Sequence, residues 1–468
     1  MAILSAYMVP HPPLIVPEIG KGQEQTIKHT TQAYQKVARR IGQERPDTII
    51  LFSPHQVMYT DYFHISPGKG AKDDFSRFRA GNVKMEVSYD TDFVKKLCEL
   101  ADYAHFPAGT YGEQDKGLDH GTMVPLYFVN QYWKNYLLVR IGLSGLPLIR
   151  HYELGQMIKE TADFLGRRIV LIASGDLSHH LKEDGPYGYQ KEGPEYDQRI
   201  MDVMGRGAFG ELLSFSEGFC EKAGECGHRS FTIMAGALDE YKVIPEKLSY
   251  EGPFGVGYGV CCYKVTGLDP SRNFRTQYEA EQKRVLSRQR ENEDCYIRLA
   301  RAAIEAYVRT GKTLNVPQDL DDELFRQRAG VFVSIKEDGK LRGCIGTIQA
   351  VQSSLAEEII ANAISACAKD PRFSPVDPWE LDRLAISVDV LGEKEPVNSP
   401  DQLDCKRYGV IVTKGRKRGL LLPNLEGVDT VEEQISIAKR KAGIRDEEQA
   451  GLERFEVTRH EAHLIGGL

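Results

Sequence analysis

Residues 168–180 read RIVLIASGDLSHH, a short apolar run followed at once by an aspartate and two histidines. The run RIVLIAS has the continuous, β-branched composition of a strand that is buried on both faces. Two further histidines follow similar runs, His11 after AILSAYMVP and His55 after TIILFSP. In an open α/β sheet, ligands bind outside the carboxyl ends of the strands. We therefore expect His11, His55 and His179 to converge at that edge.

The chain up to about residue 265 alternates strand-like and helical patterns. Strands are predicted at TIILFS (48–53), YLLVRIGLS (136–144), RIVLIAS (168–174) and, as the last strand, within GPFGVGYGVCCYKVTG (252–267). Helical spacing of apolar residues occurs in EQTIKHTTQAYQKVARRIG (24–42) and YELGQMIKETADFLGRR (152–168). This alternation predicts an α/β fold with a largely parallel sheet and helices on both of its faces.

The length of 468 residues exceeds what one ordinary hydrophobic core supports. After residue 265 the composition becomes polar and charged, and we predict a first domain at 1–265, a linker at 266–290 and a second domain at 291–468. The second domain mixes strands and helices without regular alternation, which favours an α+β fold. Its predicted strands are AGVFVSIKE (329–337), LAISVDVL (384–391), YGVIVTKG (408–415) and GLLLP (419–423).

Composition excludes several classes of protein. A net charge of −7 argues against a general nucleic-acid binder, which needs a basic face. No segment approaches the roughly 20 apolar residues of a membrane helix, and the N-terminal sequence lacks the features of a signal peptide. The nine cysteines include no metal-type CxxC pair. We therefore expect a cytoplasmic protein with reduced thiols and no membrane partner.

The histidines of the first domain suggest a metal site. Two imidazoles and one carboxylate on one face of an ion form the facial triad of non-haem iron, which leaves positions open for substrate and oxygen. His11, His55 and Glu225 meet that requirement. The thiol of Cys226, next in sequence to Glu225, is a further candidate ligand.

Other residues of the same loops are candidates for proton transfer. His179 and His120 are predicted as catalytic histidines that do not bind the metal, and Asp176 shares a turn with His179. The alternative for Asp176 is that it caps the turn. His180 and His228 are interpreted as histidines without a role in the chemistry.

Four motifs of the first domain together resemble the class III extradiol ring-cleavage dioxygenases, the family of the protocatechuate dioxygenase catalytic subunit, and the related Memo proteins. They are MVPHPPLIVPEIG (8–20), FSPH (52–55), GLDHGTMVPL (117–126) and SGDLSHH (174–180). The resemblance implies a ferrous iron, held by two histidines and a glutamate, that cleaves a catechol-like aromatic substrate with O₂. It places His11 and His55 at the ligand positions, His179 at the acid/base position and His120 at a second active-site histidine.

The sequence departs from the dioxygenase pattern at the third ligand. Residues 223–228 read AGECGH, whereas the Memo pattern has Cys-Gly at this point with the cysteine facing the pocket. Either Glu225 completes an iron site, or Cys226 does and the softer site also favours copper or zinc. The first possibility predicts a dioxygenase-like oxidoreductase. The second predicts a Memo-like metal-binding adaptor or redox protein without ring cleavage.

The second domain resembles the AMMECR-type family through GKLRGCIGTIQA (339–350) and KDPRFSPV (369–376). Fusions of AMMECR-type and Memo-type domains belong to a three-part system with a radical-SAM enzyme, so the resemblance implies a radical-SAM partner on another chain. Arg342 and Cys344 are candidates for anion binding or nucleophilic attack. We favour the alternative that Cys344 fills a small core space, and consider Arg342 and Arg372 better candidates for a polar pocket. The terminal HEAH (460–463) lacks zinc-protease spacing and predicts a solvated tail.

Overall fold

A computed structural model describes residues 2–112, 114, 117–337, 339–425 and 427–462. The chain divides into two compact units between Glu279 and Ala280. The strands of the first unit are β1 (Ile3–Val9), β2 (Thr48–Ser53), β3 (Phe63–His64), β4 (Gly70–Phe75), β5 (Ala80–Ser88), β6 (Ala108–Gly109), β7 (Leu137–Gly142), β8 (Ile169–Ser174), β9 (Tyr241–Glu251) and β10 (Tyr258–Leu268). Its helices are α1 (Pro17–Gly20), α2 (Lys28–Glu44), α3 (Thr91–Tyr103), α4 (His120–Val129), α5 (Leu148–Leu165), α6 (Glu192–Arg206), α7 (Glu217–Ala223) and α8 (His228–Ala237), and α9 (Phe274–Glu291) crosses the division.

The main sheet of the first unit has the strand order β7-β2-β8-β1-β10-β9. Strands β7, β2, β8 and β1 run parallel, while β10 pairs antiparallel with both β1 and β9. Every residue of β2 and β8 is buried. Alternate residues of β2 enter different hydrophobic clusters, because both faces of the sheet are covered. The predicted α/β fold is confirmed.

The parallel strands place the site. Val9, Ser53 and Ser174 are the last residues of β1, β2 and β8, which are neighbours in the sheet. Because parallel strands end at a common edge, the residues that follow each strand lie side by side.

The strands of the second unit are β11 (Val331–Glu337), β12 (Lys340–Gly346), β13 (Leu384–Val397), β14 (Gly409–Lys414), β15 (Lys417–Leu421) and β16 (Gly451–Glu461). Its helices are α10 (Cys295–Thr310), α11 (Asp322–Arg326), α12 (Leu355–Ala368) and α13 (Val431–Lys441). The strand order is β12-β11-β13-β16-β14-β15, and neighbouring strands pair antiparallel. The predicted α+β fold is confirmed.

The segment predicted as a linker, 266–290, contains the end of β10 and most of α9. Helix α9 buries none of its residues. Its arginines, glutamines and glutamates are good helix formers, and its residues Phe274 and Tyr278 pack partly buried against the core of the first unit. Among the described residues, the helices lack the length and apolar character needed to cross a lipid bilayer.

The prediction that the HEAH segment is a solvated tail is wrong for His460. This residue belongs to β16, its ring stacks on Tyr296 at 3.7 Å, and its Nδ1 lies 2.6 Å from Asp294 Oδ2. The final strand pairs with β13 and β14, so His460 and Glu461 are part of the sheet. His463 lies outside the described residues.

Helices α5 and α8 approach closely because each has a glycine at the crossing. A Cβ on Gly155 would lie 2.1 Å from the Ile233 carbonyl oxygen, and a Cβ on Gly236 would lie 1.9 Å from the Tyr152 carbonyl oxygen. Both contacts are with backbone, which cannot move aside as a side chain can.

Replacement of either glycine by alanine is expected to force the two helices apart. We predict that Gly155→Ala and Gly236→Ala each lower the free energy of unfolding by about 1–3 kcal/mol, measured by denaturant titration. The control is Gly205→Ala in α6, where the nearest atom to the new Cβ is 3.8 Å away. Alanine is the better helix former, so this variant is expected to keep or raise stability. Equal losses in all three variants would contradict the prediction.

Candidate metal centre

Three side chains from distant parts of the sequence offer ligand atoms to one point. The ligand atoms of His11, His55 and Cys226 all lie within 4.8 Å of one another. The Nε2 atoms of His11 and His55 are 2.9 Å apart, and the Cys226 Sγ is 3.7 Å from His11 Nε2. His11 is almost fully buried, whereas His55 is partly exposed to solvent. The cluster therefore lies at a boundary between the core and an accessible surface.

The hydrogen bonds of His11 fix its tautomer. The hydroxyl of Ser174 donates its single proton to the Gly121 carbonyl oxygen at 2.6 Å. In its 3.0 Å contact with His11 Nδ1, the Ser174 oxygen must therefore accept. It follows that Nδ1 carries the proton of the neutral ring, and Nε2 presents a lone pair to His55 and Cys226.

Two loops cross at glycines and thereby bring Cys226 to the cluster. A Cβ on Gly175 would lie 2.1 Å from the Cα of Gly227, so neither position has room for a side chain. At this crossing the backbone N–H of Asp176 donates to Cys226 Sγ at 3.3 Å, and the N–H of Cys226 donates to the Asp176 carbonyl oxygen at 3.3 Å. The thiol is therefore held by the loop that follows β8.

Glu225 has different contacts from Cys226. Its carboxylate accepts a hydrogen bond from the backbone N–H of His228 at 2.6 Å and is also bonded to Tyr196. Burial raises the pKa of Glu225 to about 7. Among the described residues, the group of possible ligands around His11 contains Cys226 and does not contain Glu225. The sequence left Glu225 and Cys226 open as the third ligand, and the geometry favours the Cys226 thiol.

His179 lies near two of the three possible ligands, His11 and His55. Its Nδ1 is hydrogen-bonded to the Gly224 carbonyl oxygen, and because a carbonyl only accepts, Nδ1 carries a proton. Burial lowers the pKa of His179, and the charged forms of His180 and His55 contribute to the lowering. The ring is therefore neutral near pH 7, and its Nε2 is unprotonated, as a proton acceptor requires.

His120 is the first residue of α4, where the Asp119 side chain caps the helix by accepting from the Thr122 N–H at 3.0 Å. Its ring stacks on His55, with 4.0 Å between centroids and 27° between planes. Burial lowers the pKa of His120 to about 4, and His55 adds to the effect. The ring is therefore neutral near pH 7 and packs beside the possible ligands.

The side chain of Asp176 contacts His11, which follows a different strand. Its Oδ1 accepts from the backbone N–H of His11 at 2.8 Å, and its Oδ2 is 3.9 Å from His11 Nε2. Burial raises the pKa of Asp176 to about 7. The carboxyl group therefore ties the loop after β8 to the loop after β1.

His180 and His228 make contacts that serve the fold. The Nδ1 of His180 lies 2.8 Å from the Tyr187 carbonyl oxygen, and its ring packs against Gly224. The buried ring of His228 lies between the Tyr196 hydroxyl at 3.2 Å and the Leu212 carbonyl oxygen at 3.0 Å.

The two donor separations that involve His11 fit one metal ion. With the metal–nitrogen distance of about 2.0–2.1 Å that is usual for zinc, the separation of the two Nε2 atoms subtends roughly 90° at the ion. With a metal–sulfur distance of about 2.3 Å, the His11–Cys226 separation subtends about 115°. Both angles are normal for two ligands of one ion, and the third pair, His55 and Cys226, lies within 4.8 Å. Two imidazoles and a thiolate suit iron, copper or zinc.

Three residues that shape the site, Ser174, Gly175 and Gly227, were not predicted from the sequence as functional residues. The signal for Ser174 is its position as the last residue of the predicted strand RIVLIAS. The signal for the two glycines is weaker, since nothing in the sequence indicates that the loop with Gly175 and Asp176 meets the loop with Cys226 and Gly227.

Comparison with known proteins identifies both halves of the chain. Residues 5–261 match the family described as the catalytic LigB subunit of aromatic ring-opening dioxygenase, and residues 297–465 match AMMECR1. A protein of Clostridium acetobutylicum is 42% identical over 98% of this chain and 99% of its own length. A Thermotoga maritima protein is 52% identical over 35% of this chain and 96% of its own length.

Two solved structures are also similar. Protein PH0010 of Pyrococcus horikoshii is 35% identical and covers 36% of this chain and 90% of its own, with a TM-score of 0.34. Protein JW3007 of Escherichia coli K12 is 16% identical and covers 55% of this chain and 99% of its own, with a TM-score of 0.39.

Removal of the Ser174 hydroxyl is expected to weaken metal binding without removing a ligand. In Ser174→Ala, the Nδ1 proton of His11 loses its acceptor, so the ring is free to change tautomer and orientation. We predict a 10- to 100-fold loss of Zn²⁺ affinity, measured by competition with a chromophoric chelator. The control is Thr161→Ala, which removes a buried hydroxyl that donates to the Met157 carbonyl oxygen within α5. An equal loss in both variants would mean that the effect is one of stability alone.

Proposed function

The chain belongs to the LigB family of aromatic ring-opening dioxygenase subunits, with a C-terminal AMMECR1 domain, and from this we propose that its first unit is a metal-dependent oxidoreductase. His11, His55 and Cys226 hold the metal. Fe(II) is the first candidate, and the nitrogen and sulfur donors also suit copper and zinc. The proposed substrates are a catechol-like aromatic compound and O₂.

The observation that carries this proposal is the convergence of three ligand atoms within 4.8 Å on the edge where the parallel strands end. Burial lowers the pKa of His11 well below its usual value, and the neighbouring histidines His55, His120 and His179 lower it further. The imidazoles are therefore neutral, as metal ligands must be. Without a cation between them, these neutral donor atoms would gain little stabilisation from lying so close together.

Bound Fe(II) would supply a Lewis acid and reductant at which a catechol and O₂ react. The protein's own groups would do the rest. His179, whose Nδ1 is bonded to the Gly224 carbonyl oxygen, takes the proton of a substrate hydroxyl at Nε2 and later returns it. His120, which stacks on His55, is the second candidate for proton transfer. Asp176 holds the His11 backbone in place.

A second candidate function is favoured by the position of Cys226. The facial triad of non-haem iron oxygenases has a carboxylate where this cluster has a thiol. A thiolate is a softer ligand that stabilises copper and zinc, and such a site supports a metal-binding adaptor or a redox protein without ring cleavage. The two functions share the metal and differ in the chemistry that the metal performs.

Reconstitution of three variants distinguishes the ligands. We expect Cys226→Ala to lose most of its bound metal after anaerobic loading with Fe(II), because one of three ligands is gone. Glu225→Gln is expected to keep the metal, since its carboxyl group bonds to His228 and Tyr196. Cys220→Ala, which removes a buried thiol from α7, is the matched control. Elemental analysis and oxygen uptake with a panel of catechols are the measurements.

His179→Gln separates chemistry from binding in the same experiment. This variant is expected to retain iron and lose at least 100-fold in oxygen uptake, the usual magnitude for removal of a general base. Absence of uptake by the iron-loaded wild type would remove the dioxygenase function and leave the adaptor or redox function. Retention of metal by Cys226→Ala with loss in Glu225→Gln would refute the proposed ligand set.

We also propose that a radical-SAM protein on another chain works with this protein. The support is the fusion of the two domains, which the Clostridium acetobutylicum relative shares over nearly its whole length. We expect a radical-SAM protein encoded by the same organism to co-elute with the full chain in anaerobic gel filtration. If no radical-SAM protein co-elutes with the full chain, whether or not the chain is loaded with metal, the proposal is contradicted.

A further inference from the structure

The sheet of the second unit has two different faces. On β11, the alternate residues Val331, Val333 and Ile335 are buried in a hydrophobic cluster with residues of α10 and α12. The other set, Phe332, Ser334 and Lys336, lines an open cavity of about 530 Å³. The period of two along a strand thus separates a packed face from a cavity-lining face.

The cavity is large enough for a small molecule, since ligand pockets have volumes of about 300–1,000 Å³. Its lining includes residues of β12 and β15, which are the two ends of the strand order, so the sheet curls around it. One part of the wall is apolar and is formed by Phe332, Leu341, Ile348, Leu420, Leu422 and Leu425. The cavity therefore offers contact area to an apolar group.

The charged part of the wall is mainly cationic and consists of five basic residues, Lys336, Arg372, Arg418, Lys441 and Arg459, with two acidic residues, Asp389 and Glu461. Buried carboxylates hold two of the guanidinium groups: Asp370 accepts from Arg372 at 2.7 and 2.9 Å, and Asp389 accepts from Arg459 at 2.8 and 3.2 Å. These arginines are therefore rigid parts of the wall.

Lys441, the last residue of α13, differs from these arginines. Among the residues that the structure describes, no carboxylate pairs with its ammonium group. Desolvation lowers the pKa of Lys441, and the neighbouring Arg372 contributes to the lowering. An anion in the cavity would relieve this repulsion between cations.

A thiol lies within this cationic wall. Cys344 on β12 is opposite Ser334 on β11, whose hydroxyl is 3.2 Å from the Cys344 Sγ. Arg372 donates to the Cys344 carbonyl oxygen at 3.1 Å. Cys344 is half-buried and lines the cavity, so the prediction that it fills a small core space is wrong. The physical reason is strand alternation, which turns its side chain away from the face that packs on α12.

Of the two arginines predicted for a polar pocket, Arg372 lines the cavity. Arg342 is instead a structural residue, since its guanidinium donates to both oxygens of Glu380 at 2.6 and 3.0 Å. Its side chain and that of Glu380 are largely buried.

We propose that this cavity of the second unit binds a small organic anion that has an apolar body, with the Cys344 thiol in contact with the ligand. The acidic group of the ligand lies at Lys441 and Arg372, and its apolar body lies against the leucines and Phe332. An inorganic anion would leave that apolar wall in contact with water, so a carboxylate on an aromatic or branched skeleton is the better fit.

Alkylation of the full-length protein tests this proposal with two probes of similar size. In either reaction the Cys344 thiolate attacks the probe's CH₂ carbon, an S–C bond forms, and iodide leaves with the electron pair of the C–I bond. Iodoacetate is anionic and iodoacetamide is neutral, so the ratio of their rates reports the local potential. The matched control thiol is Cys295, also half-buried, which lies 3.3 Å from the Asp321 carboxylate.

We expect the iodoacetate to iodoacetamide rate ratio at Cys344 to exceed the ratio at Cys295 by about fivefold or more, measured by peptide mass spectrometry. Lys441→Gln is expected to lower the ratio at Cys344 by about twofold or more without changing it at Cys295. Cys344→Ser identifies the labelled peptide.

A second measurement uses the wild-type protein. Millimolar benzoate, as an anion with an apolar ring, is expected to protect Cys344 from iodoacetamide, whereas sodium chloride at equal ionic strength does not. Equal rate ratios at the two cysteines, or absence of protection by benzoate, would overturn the proposal.

Discussion

The close approach of Gly175 to Gly227 is the constraint on which the candidate metal centre depends. One glycine follows β8 and the other precedes α8, and a side chain at either position would separate the loops. The contact lets the backbone of Asp176 bond to Cys226 in both directions. Without it, His11 and His55 would still meet at the edge of the sheet, since β1 and β2 both pair with β8. The thiol of Cys226 would then not reach the two histidines.

The second constraint is electrostatic. Four imidazoles, those of His11, His55, His120 and His179, lie within range of mutual charge interaction. Burial and this mutual repulsion keep them neutral, and neutral rings have lone pairs to offer. Ser174 and the Gly224 carbonyl then select which nitrogen of His11 and His179 carries the proton. The site thus consists of bases whose orientation is set before any ligand arrives, which reduces the entropy cost of binding a metal.

In the second unit, too, hydrogen bonds hold polar side chains in place before any ligand binds, although the residues are different. Helices cover one face of its curled antiparallel sheet. The other face lines a cavity with cations, apolar groups and a thiol. Buried carboxylates fix its arginines in the way that hydrogen bonds fix the histidines of the first unit. In both units, strand alternation or strand order determines which side chains reach the open surface.

The sequence by itself determined the fold class of each unit and the edge of the sheet at which His11, His55 and His179 meet, because both follow from short-range patterns of apolar residues and from where strands end. It did not distinguish Glu225 from Cys226, although they are neighbours. Their side chains leave the backbone in different directions, and only the crossing at Gly227 decides which of them faces His11. It also misplaced Cys344 and His460, whose surroundings come from strands distant in sequence. Contacts between distant loops depend on the packing of the whole chain, so only the tertiary structure decided them.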